Sequence, residues 1–163
     1  MNANRKRALF VAQGAVIAAL YVVLTVVLAP ISFGAMQVRL SEILAVLPMF
    51  TPAAVPGLFI GCLLGNLLGG AVIWDTVFGS LATLIGAAGG YLLRSNRWLV
   101  PLPTIAANTV IVPFVLRYAY EVNLPIPLLA LYVAIGEIIS CYLLGELLIA
   151  LLQKRKVKFD KDE

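Results

Sequence analysis

Long apolar runs separated by short polar segments make up most of this 163-residue chain. Four runs contain no charged residue: Ala8 to Val38, Ile43 to Trp74, Thr76 to Leu93 and Trp98 to Leu116. A fifth run, after Glu121, is broken only by Glu137 and Glu146. A helix needs about 20 mostly apolar residues to cross about 30 Å of hydrocarbon. The pattern therefore predicts an integral membrane protein.

Prolines divide these runs into six predicted helices. Pro30 ends the first helix, because proline lacks the backbone donor that a helix needs. The long second run is interrupted at Pro48, Pro52 and Pro56, so it forms a short helix followed by a longer one. The predicted bounds are about 8–29, 42–50, 53–70, 75–93, 99–120 and 127–153. We therefore predict a single all-α membrane domain over residues 1–163 with six transmembrane helices, or four spans if the second helix is only re-entrant.

The basic residues lie at the ends of the predicted spans. Arg5 to Arg7 precede the first helix and Lys154 to Lys161 follow the last one. Six spans place both groups on one side of the membrane together with Arg94 and Arg97, and the positive-inside rule assigns that side to the cytoplasm. We therefore predict a multi-pass protein with both termini in the cytoplasm. The net charge of +4 reflects topology, and we expect no nucleic-acid partner.

Residues that carry out catalysis or bind metals are scarce. The chain has no histidine, and Cys62 and Cys141 lie in apolar runs without metal-ligand spacing. Zinc sites, disulfide frameworks and Ser-His or Cys-His catalysis therefore lose support. A GxxxxGK[ST] phosphate loop is also absent from the sequence. We predict that the protein is not an enzyme and needs neither cofactor nor metal, and we interpret both thiols as packing residues.

Polar side chains concentrate on the predicted outer side of the membrane. An ionisable group within the bilayer is costly and usually marks a binding site or a pathway. Glu137 lies about ten residues into the last helix, or about 15 Å deep, and so close to mid-bilayer. The candidate substrate-binding residues are Gln37, Arg39, Glu42, Trp74, Asp75, Asn108, Tyr118 and Glu137. The excess of carboxylates among them favours a cationic or hydrogen-bond-donating ligand.

Some of these candidates, and the further polar residue Asn66, also have a structural interpretation. Asp75 is suitably placed to cap the fourth helix, and Trp74 fits the aromatic belt of a membrane protein. Asn66 and Asn108 are explained equally well by hydrogen bonds between helices. The sequence alone leaves both interpretations open.

Two stripes of small residues are typical of close helix packing in membranes. Glycines recur at every fourth position from Gly57 to Gly69 in the third predicted helix, where internal packing is the simpler interpretation. On the first helix, a smooth ridge on one face is formed by Ala8, Ala12, Ala15 and Ala19. Internal packing and docking of a partner explain this ridge equally well.

Two segments carry a resemblance to a known family: QVRLSEILAVLPMF after the first helix and GLFIGCLLGNLLGGAVIWDTVFGSLATLIGA across the third and fourth. Over essentially its whole length the chain resembles the QueT family, the queuosine-precursor substrate-binding (S) subunits of energy-coupling factor transporters. The resemblance implies the six-helix bundle of such S subunits in a bacterial cell membrane. It also implies a transmembrane scaffold (T) subunit, which the alanine ridge contacts, and two cytoplasmic ATPase subunits as partners.

The implied substrate is a 7-deazaguanine base, such as 7-aminomethyl-7-deazaguanine or queuine. On this resemblance, Glu137 accepts two adjacent N–H donors of the base and Gln37 donates to its carbonyl oxygen. Asp75 or Glu42 pairs with the positive charge of an aminomethyl group, which the ring of Trp74 covers.

Three alternatives remain open at this point. The chain can be an S subunit of the same architecture for a thiamin-like cation or another purine. It can also be a stand-alone channel or proton-coupled carrier in which Glu137 relays protons. A membrane enzyme has the least support, because histidine is absent and the carboxylates do not form a recognisable metal motif.

Overall fold

The computed structural model describes residues 2–28 and 39–154, and all regular structure within these ranges is helical. In chain order the elements are α1 (Ala3–Val27), a 3₁₀ helix (Leu40–Met49), α2 (Ala54–Gly69), α3 (Ile73–Leu92), α4 (Leu102–Tyr118), α5 (Ile126–Glu137), a π-helical segment (Ile138–Leu144) and α6 (Gly145–Lys154). The last three elements form one continuous helix, Ile126–Lys154. Counted in this way, the described residues form six helices.

Two of these helices have the length and composition needed to cross a membrane. They are Ala3–Val27 and Ile126–Lys154, with mean hydropathies of 2.3 and 2.0. Large apolar side chains also cover the outside of the bundle, including Val11 and Val16 on α1 and Val110 on α4. A surface of this kind is unusual for a soluble monomer and is suited to lipid.

The 3₁₀ helix lies inside the bundle, where a short α-helix was expected at about 42–50. It contacts α1, α3 and the last helix. Leu44 and Leu47 pack with Ile17 and Leu58 in the main apolar cluster. Runs of 3₁₀ helix are normally short, so burial on nearly every side accounts for this ten-residue example better than intrinsic propensity does. The packing holds Glu42 in the middle of the protein.

The helices differ from the predicted bounds mainly near prolines and caps. Helix α4 begins at Leu102, later than the expected residue 99, because Pro101 and Pro103 are tolerated only where the backbone N–H has no helical partner. Helix α3 begins at Ile73, and Val72 is its N-cap. Asp75 therefore lies within the first turn of α3 and does not cap it.

Glycines allow α1 and α2 to touch along their backbones. A Cβ atom built on Gly57 would lie 2.8 Å from the carbonyl oxygen of Gly14, and one on Gly61 would lie 2.7 Å from the Cβ atom of Tyr21. At Gly65 the corresponding contact is with Thr25 at 3.1 Å. The glycine stripe thus serves packing within the chain, which was the simpler of its two interpretations.

Candidate functional site

Polar side chains from five helices are buried together in the centre of the bundle. Five of the predicted site residues lie here, and each is at most 4% exposed: Arg39, Glu42, Asp75, Asn108 and Glu137. Burial of so many polar groups is costly unless each one finds a partner. They form two groups, which we call the Asp75 cluster (Arg39, Asp75, Asn66 and Tyr120) and the carboxylate pair (Glu42 and Glu137).

The Asp75 cluster centres on an ion pair. Arg39 Nη2 donates to Asp75 Oδ2 at 2.7 Å, and the hydroxyl of Tyr120 donates to the same oxygen at 2.9 Å. Asn66 Nδ2 donates to the backbone carbonyl of Asp75 at 3.3 Å. Partial burial raises the pKa of Tyr120, and the negative charge of Asp75 raises it further. The hydroxyl therefore remains a donor. The cluster joins the 3₁₀ helix to α2, α3 and the segment after α4.

Close packing around the Asp75 cluster depends on Gly79, one turn further along α3. A Cβ atom on Gly79 would lie 2.9 Å from Asp75 Oδ1 and 3.4 Å from Arg39 Nη1. A larger residue at this position would require the Asp75 carboxylate to shift.

The carboxylate pair brings together two acidic side chains from distant parts of the chain. Oxygen atoms of Glu42 and Glu137 and the Sγ atom of Cys141 lie within 4.8 Å of one another. Tyr21 donates its hydroxyl proton to Glu42 Oε1. Asn108 Nδ2 donates to Glu137 Oε1 at 2.9 Å, and the thiol of Cys141 donates to Glu137 Oε2 at 3.0 Å. These donors are uncharged, so the pair attracts a proton, a cation or further N–H groups.

Several acceptor atoms at the site have no hydrogen-bond partner among the described residues. They include Glu42 Oε2 and Asn108 Oδ1 at the carboxylate pair, and Asn66 Oδ1 and Asp75 Oδ1 in the Asp75 cluster. A buried acceptor without a partner costs about 1–3 kcal/mol. This arrangement is suited to a small ligand that offers several N–H donors.

The π-helical segment begins directly after Glu137. Single turns of π-helix within α-helices are often found at functional sites. Here the segment contains Ser140 and Cys141, both fully buried, and Cys141 lies four residues after the carboxylate that it contacts. The change from α- to π-helical geometry therefore occurs next to the carboxylate pair, in the segment that contains Cys141.

Two predicted site residues lie away from these buried groups. Trp74 is 58% exposed and Tyr118 is 72% exposed. Both line an apolar groove of about 470 Å³ between α3 and α4, together with Phe78 and Phe114. Gln37 lies outside the described residues. The roles predicted for these three residues stay predictions.

Four residues of the site were not on the list of predicted substrate-binding residues. Asn66 was considered only for its need of hydrogen-bond partners, and three were not considered at all: Tyr21, Tyr120 and Cys141. Tyr21 is a single hydroxyl within the apolar run of α1, and Cys141 follows Glu137 by one helical turn. The spacing between Glu137 and Cys141 is a signal that they share a helix face. Tyr21 has no such signal, because its partner lies 21 residues away in another helix.

The carboxylate pair and Cys141 are also close enough to hold a metal ion. Carboxylate and thiolate groups are ligands that Zn²⁺ accepts. In the structure, however, the thiol of Cys141 and the amide of Asn108 already donate to both oxygens of Glu137. The expected absence of a metal stays a prediction.

A family model described as QueT transporter matches residues 11–154 of this chain. The chain belongs to the QueT transporter family. A curated relative, the queuosine precursor transporter QueT of Lactococcus lactis subsp. cremoris (strain MG1363), is 39% identical over 82 residues. That alignment covers 48% of this chain and 47% of the relative, so it spans about half of each protein. No solved structure matches the chain.

Family membership confirms the resemblance that the two sequence segments indicated. It identifies the chain as a member of a transporter family, and this membership together with the two long apolar helices supports a membrane protein. A transporter family also argues against an enzyme.

Proposed function

We propose that this chain is the substrate-binding S subunit of an energy-coupling factor transporter and that it binds a queuosine precursor, a 7-deazaguanine base. The observation that carries this proposal is the buried carboxylate pair, with unpartnered acceptors beside it. Family membership and the name of the Lactococcus relative support the choice of substrate.

The chemistry of a deazaguanine complements the carboxylate pair. Its ring N–H and its 2-amino group are adjacent donors, and a carboxylate can accept from both at once. Glu42 Oε2 and Asn108 Oδ1 are available for such donors. Glu137 becomes available when the thiol of Cys141, a weak donor, gives up its hydrogen bond. The carbonyl oxygen of the base then accepts from Arg39 or Gln37.

Burial of the site makes recognition selective. A site whose buried groups require hydrogen bonds rejects an analogue that lacks them by large factors, because its own groups are then left unpaired. We expect the corresponding 7-deazahypoxanthine, which lacks the 2-amino group, to bind at least about 100-fold more weakly.

Binding of 7-aminomethyl-7-deazaguanine to the purified subunit in detergent tests the assignment. We expect Glu137→Gln to lower the affinity at least about tenfold, because the amide replaces one acceptor oxygen by a donor. Glu121→Gln is the matched control, since Glu121 is an exposed carboxylate outside the site, and it should bind as the wild type does.

Other outcomes separate the alternatives. Unchanged affinity of Glu137→Gln would remove the carboxylate pair from the binding site. Tight binding of thiamin without binding of any deazaguanine would identify another kind of S subunit. Uptake that persists in cells without the ATPase subunits would favour a stand-alone carrier.

The proposal includes the six-span topology and the partners. Basic residues near the start of α1, after α3 and at the end of α6 are consistent with one cytoplasmic side that holds both termini. The chain has no phosphate loop, so energy is supplied by two cytoplasmic ATPase subunits through a transmembrane scaffold. All four residues of the alanine ridge are exposed on α1, which suits contact with that scaffold: Ala8, Ala12, Ala15 and Ala19.

A further inference from the structure

The carboxylate pair can carry more negative charge than its surroundings compensate. Among the described residues, the buried charged side chains are one cation and three carboxylates: Arg39, Glu42, Asp75 and Glu137. Arg39 donates to Asp75 at 2.7 Å, so this cation forms its ion pair with the carboxylate outside the pair. Oxygens of Glu42 and Glu137 lie within 4.8 Å of one another. Two buried carboxylates this close do not both ionise without compensation, and such pairs often share one proton.

The groups packed around the pair do not supply a second positive charge. Tyr21 on α1, Asn108 on α4 and Cys141 in the π-helical segment donate hydrogen bonds to the pair and are therefore neutral. The other titratable or charged groups that interact with the pair, directly or through Arg39, are Arg39 itself, Cys62 on α2 and Asp75 on α3. Neutral donors lower the cost of one buried charge, but a second charge needs a proton or a cation.

One particular oxygen of the pair is open to that proton. Three of the four carboxylate oxygens already accept hydrogen bonds, namely Glu42 Oε1 and both oxygens of Glu137. Glu42 Oε2 has no partner among the described residues, and the side chain is fully buried. A proton on this atom removes the uncompensated charge without breaking an existing hydrogen bond. A ligand N–H group needs the same atom as an acceptor, so the proton and the ligand exclude each other there.

We propose that the site selects its ligand by charge: the protonated 7-aminomethyl group of a deazaguanine replaces a proton on Glu42 Oε2. The O–H bond of Glu42 breaks, the proton leaves to bulk water, and the carboxylate accepts from the ammonium N–H. The net charge of the site stays the same, and Glu137 remains the acceptor for the ring donors. A neutral ligand cannot replace the proton, because two uncompensated buried charges would remain. This inference rests on the proposed function and narrows its substrate class to deazaguanines with a cationic amine.

Calorimetry of the purified subunit in detergent, repeated in buffers of different ionisation enthalpy, counts the protons released on binding. At about pH 6 we expect 7-aminomethyl-7-deazaguanine to release about one proton per bound molecule. Its affinity should rise about tenfold for each pH unit while the free pair holds its proton, because the bound state contains one proton fewer. The neutral analogue of similar size, 7-hydroxymethyl-7-deazaguanine, should release no proton and bind at least about tenfold more weakly.

Glu42→Gln removes the group that holds the proton. In this variant, binding of the 7-aminomethyl base should release no proton and lose its dependence on pH. Glu121→Gln is the matched control, since this carboxylate is exposed and its loss should leave the proton count at the wild-type value. If Glu42→Gln binds too weakly for calorimetry, the comparison of the two ligands on the wild type decides.

Three results would overturn the replacement of a proton by the ligand: binding of the 7-aminomethyl base without proton release, equal release by the hydroxymethyl analogue, or equal release in Glu42→Gln. In each of these cases the wild type still binds the base, so the proposed function stands. A wild-type subunit that binds no deazaguanine would overturn both proposals.

Discussion

The three buried carboxylates of the site have different surroundings. Asp75 accepts from the guanidinium of Arg39 at 2.7 Å, whereas Glu42 accepts from a phenol and Glu137 from an amide and a thiol. A buried charge is stable only with a compensating partner. We therefore interpret the Asp75 ion pair as a structural element and the carboxylate pair as the part that contacts the ligand.

Replacement of Asp75 tests this division of roles. Asp75→Asn removes the negative charge that Arg39 contacts, and loss of one partner of a buried ion pair typically costs about 3–5 kcal/mol. We expect a clearly lower unfolding temperature in detergent. Glu121→Gln, at an exposed carboxylate, should unfold as the wild type does. An unchanged unfolding temperature of Asp75→Asn would show that the ion pair contributes little to stability.

The sequence predicts part of this site because polar residues within apolar runs need partners. Glu137 was identified on that basis, whereas Arg39 and Glu42 were identified because they lie in a polar segment on the predicted outer side. The structure buries all three. Tyr21 could not be identified in the same way, since tyrosine is common in membrane helices and its contact depends on tertiary packing. The sequence also could not predict that Trp74 is exposed, because an aromatic residue beside Asp75 fits a pocket as well as a lipid-facing surface.

At the scale of elements, the contact between α1 and α2 depends on glycines that have no side chain to separate the backbones. Membrane helices associate mainly through close packing, because lipid is as apolar as their side chains. Gly61 makes the closest of these contacts, because a Cβ atom there would lie 2.7 Å from the Cβ atom of Tyr21. The contact also fixes the start of the side chain that reaches Glu42.

Gly61→Ala should therefore destabilise the protein. The added methyl group would lie 2.7 Å from the Cβ atom of Tyr21, so the helices must move apart. Overpacking of this kind typically costs about 1–3 kcal/mol, and we expect a lower unfolding temperature in detergent. Ile60→Ala is a control at an exposed position of α2. Equal unfolding temperatures for Gly61→Ala and the wild type would contradict the close contact.

The sequence pattern predicts where helices occur better than it predicts their geometry. Apolar runs and prolines indicate the bounds of α2 to within a residue of the structure, Ala54–Gly69. The 3₁₀ conformation of Leu40–Met49 and the π-helical segment Ile138–Leu144 are set by packing against each other and their neighbours. Residue periodicity contains no signal for either form.

At the scale of the whole molecule, the outer surface of α1 has two kinds of side chain. The alanine ridge is smooth, whereas large apolar residues such as Val11 and Val16 lie beside it. A smooth ridge lets another helix approach closely, and large apolar residues around it are compatible with lipid or with a membrane partner. The buried face of the same helix carries Tyr21, which contacts the carboxylate pair, so the two surfaces can be altered separately.

Replacement of both Ala15 and Ala19 by tryptophan should block assembly with the scaffold and leave ligand binding intact. Both residues are exposed, so the larger side chains need no space inside the bundle. They would instead hold a docking helix away from α1. Co-purification of the subunit with scaffold and ATPases measures assembly, and affinity for 7-aminomethyl-7-deazaguanine measures ligand binding.

The control is Ile85→Trp, at an exposed position on α3, which should assemble normally. A complete complex with the double variant would mean that the scaffold docks on another surface, whereas loss of ligand binding would mean that the ridge is not separable from the site.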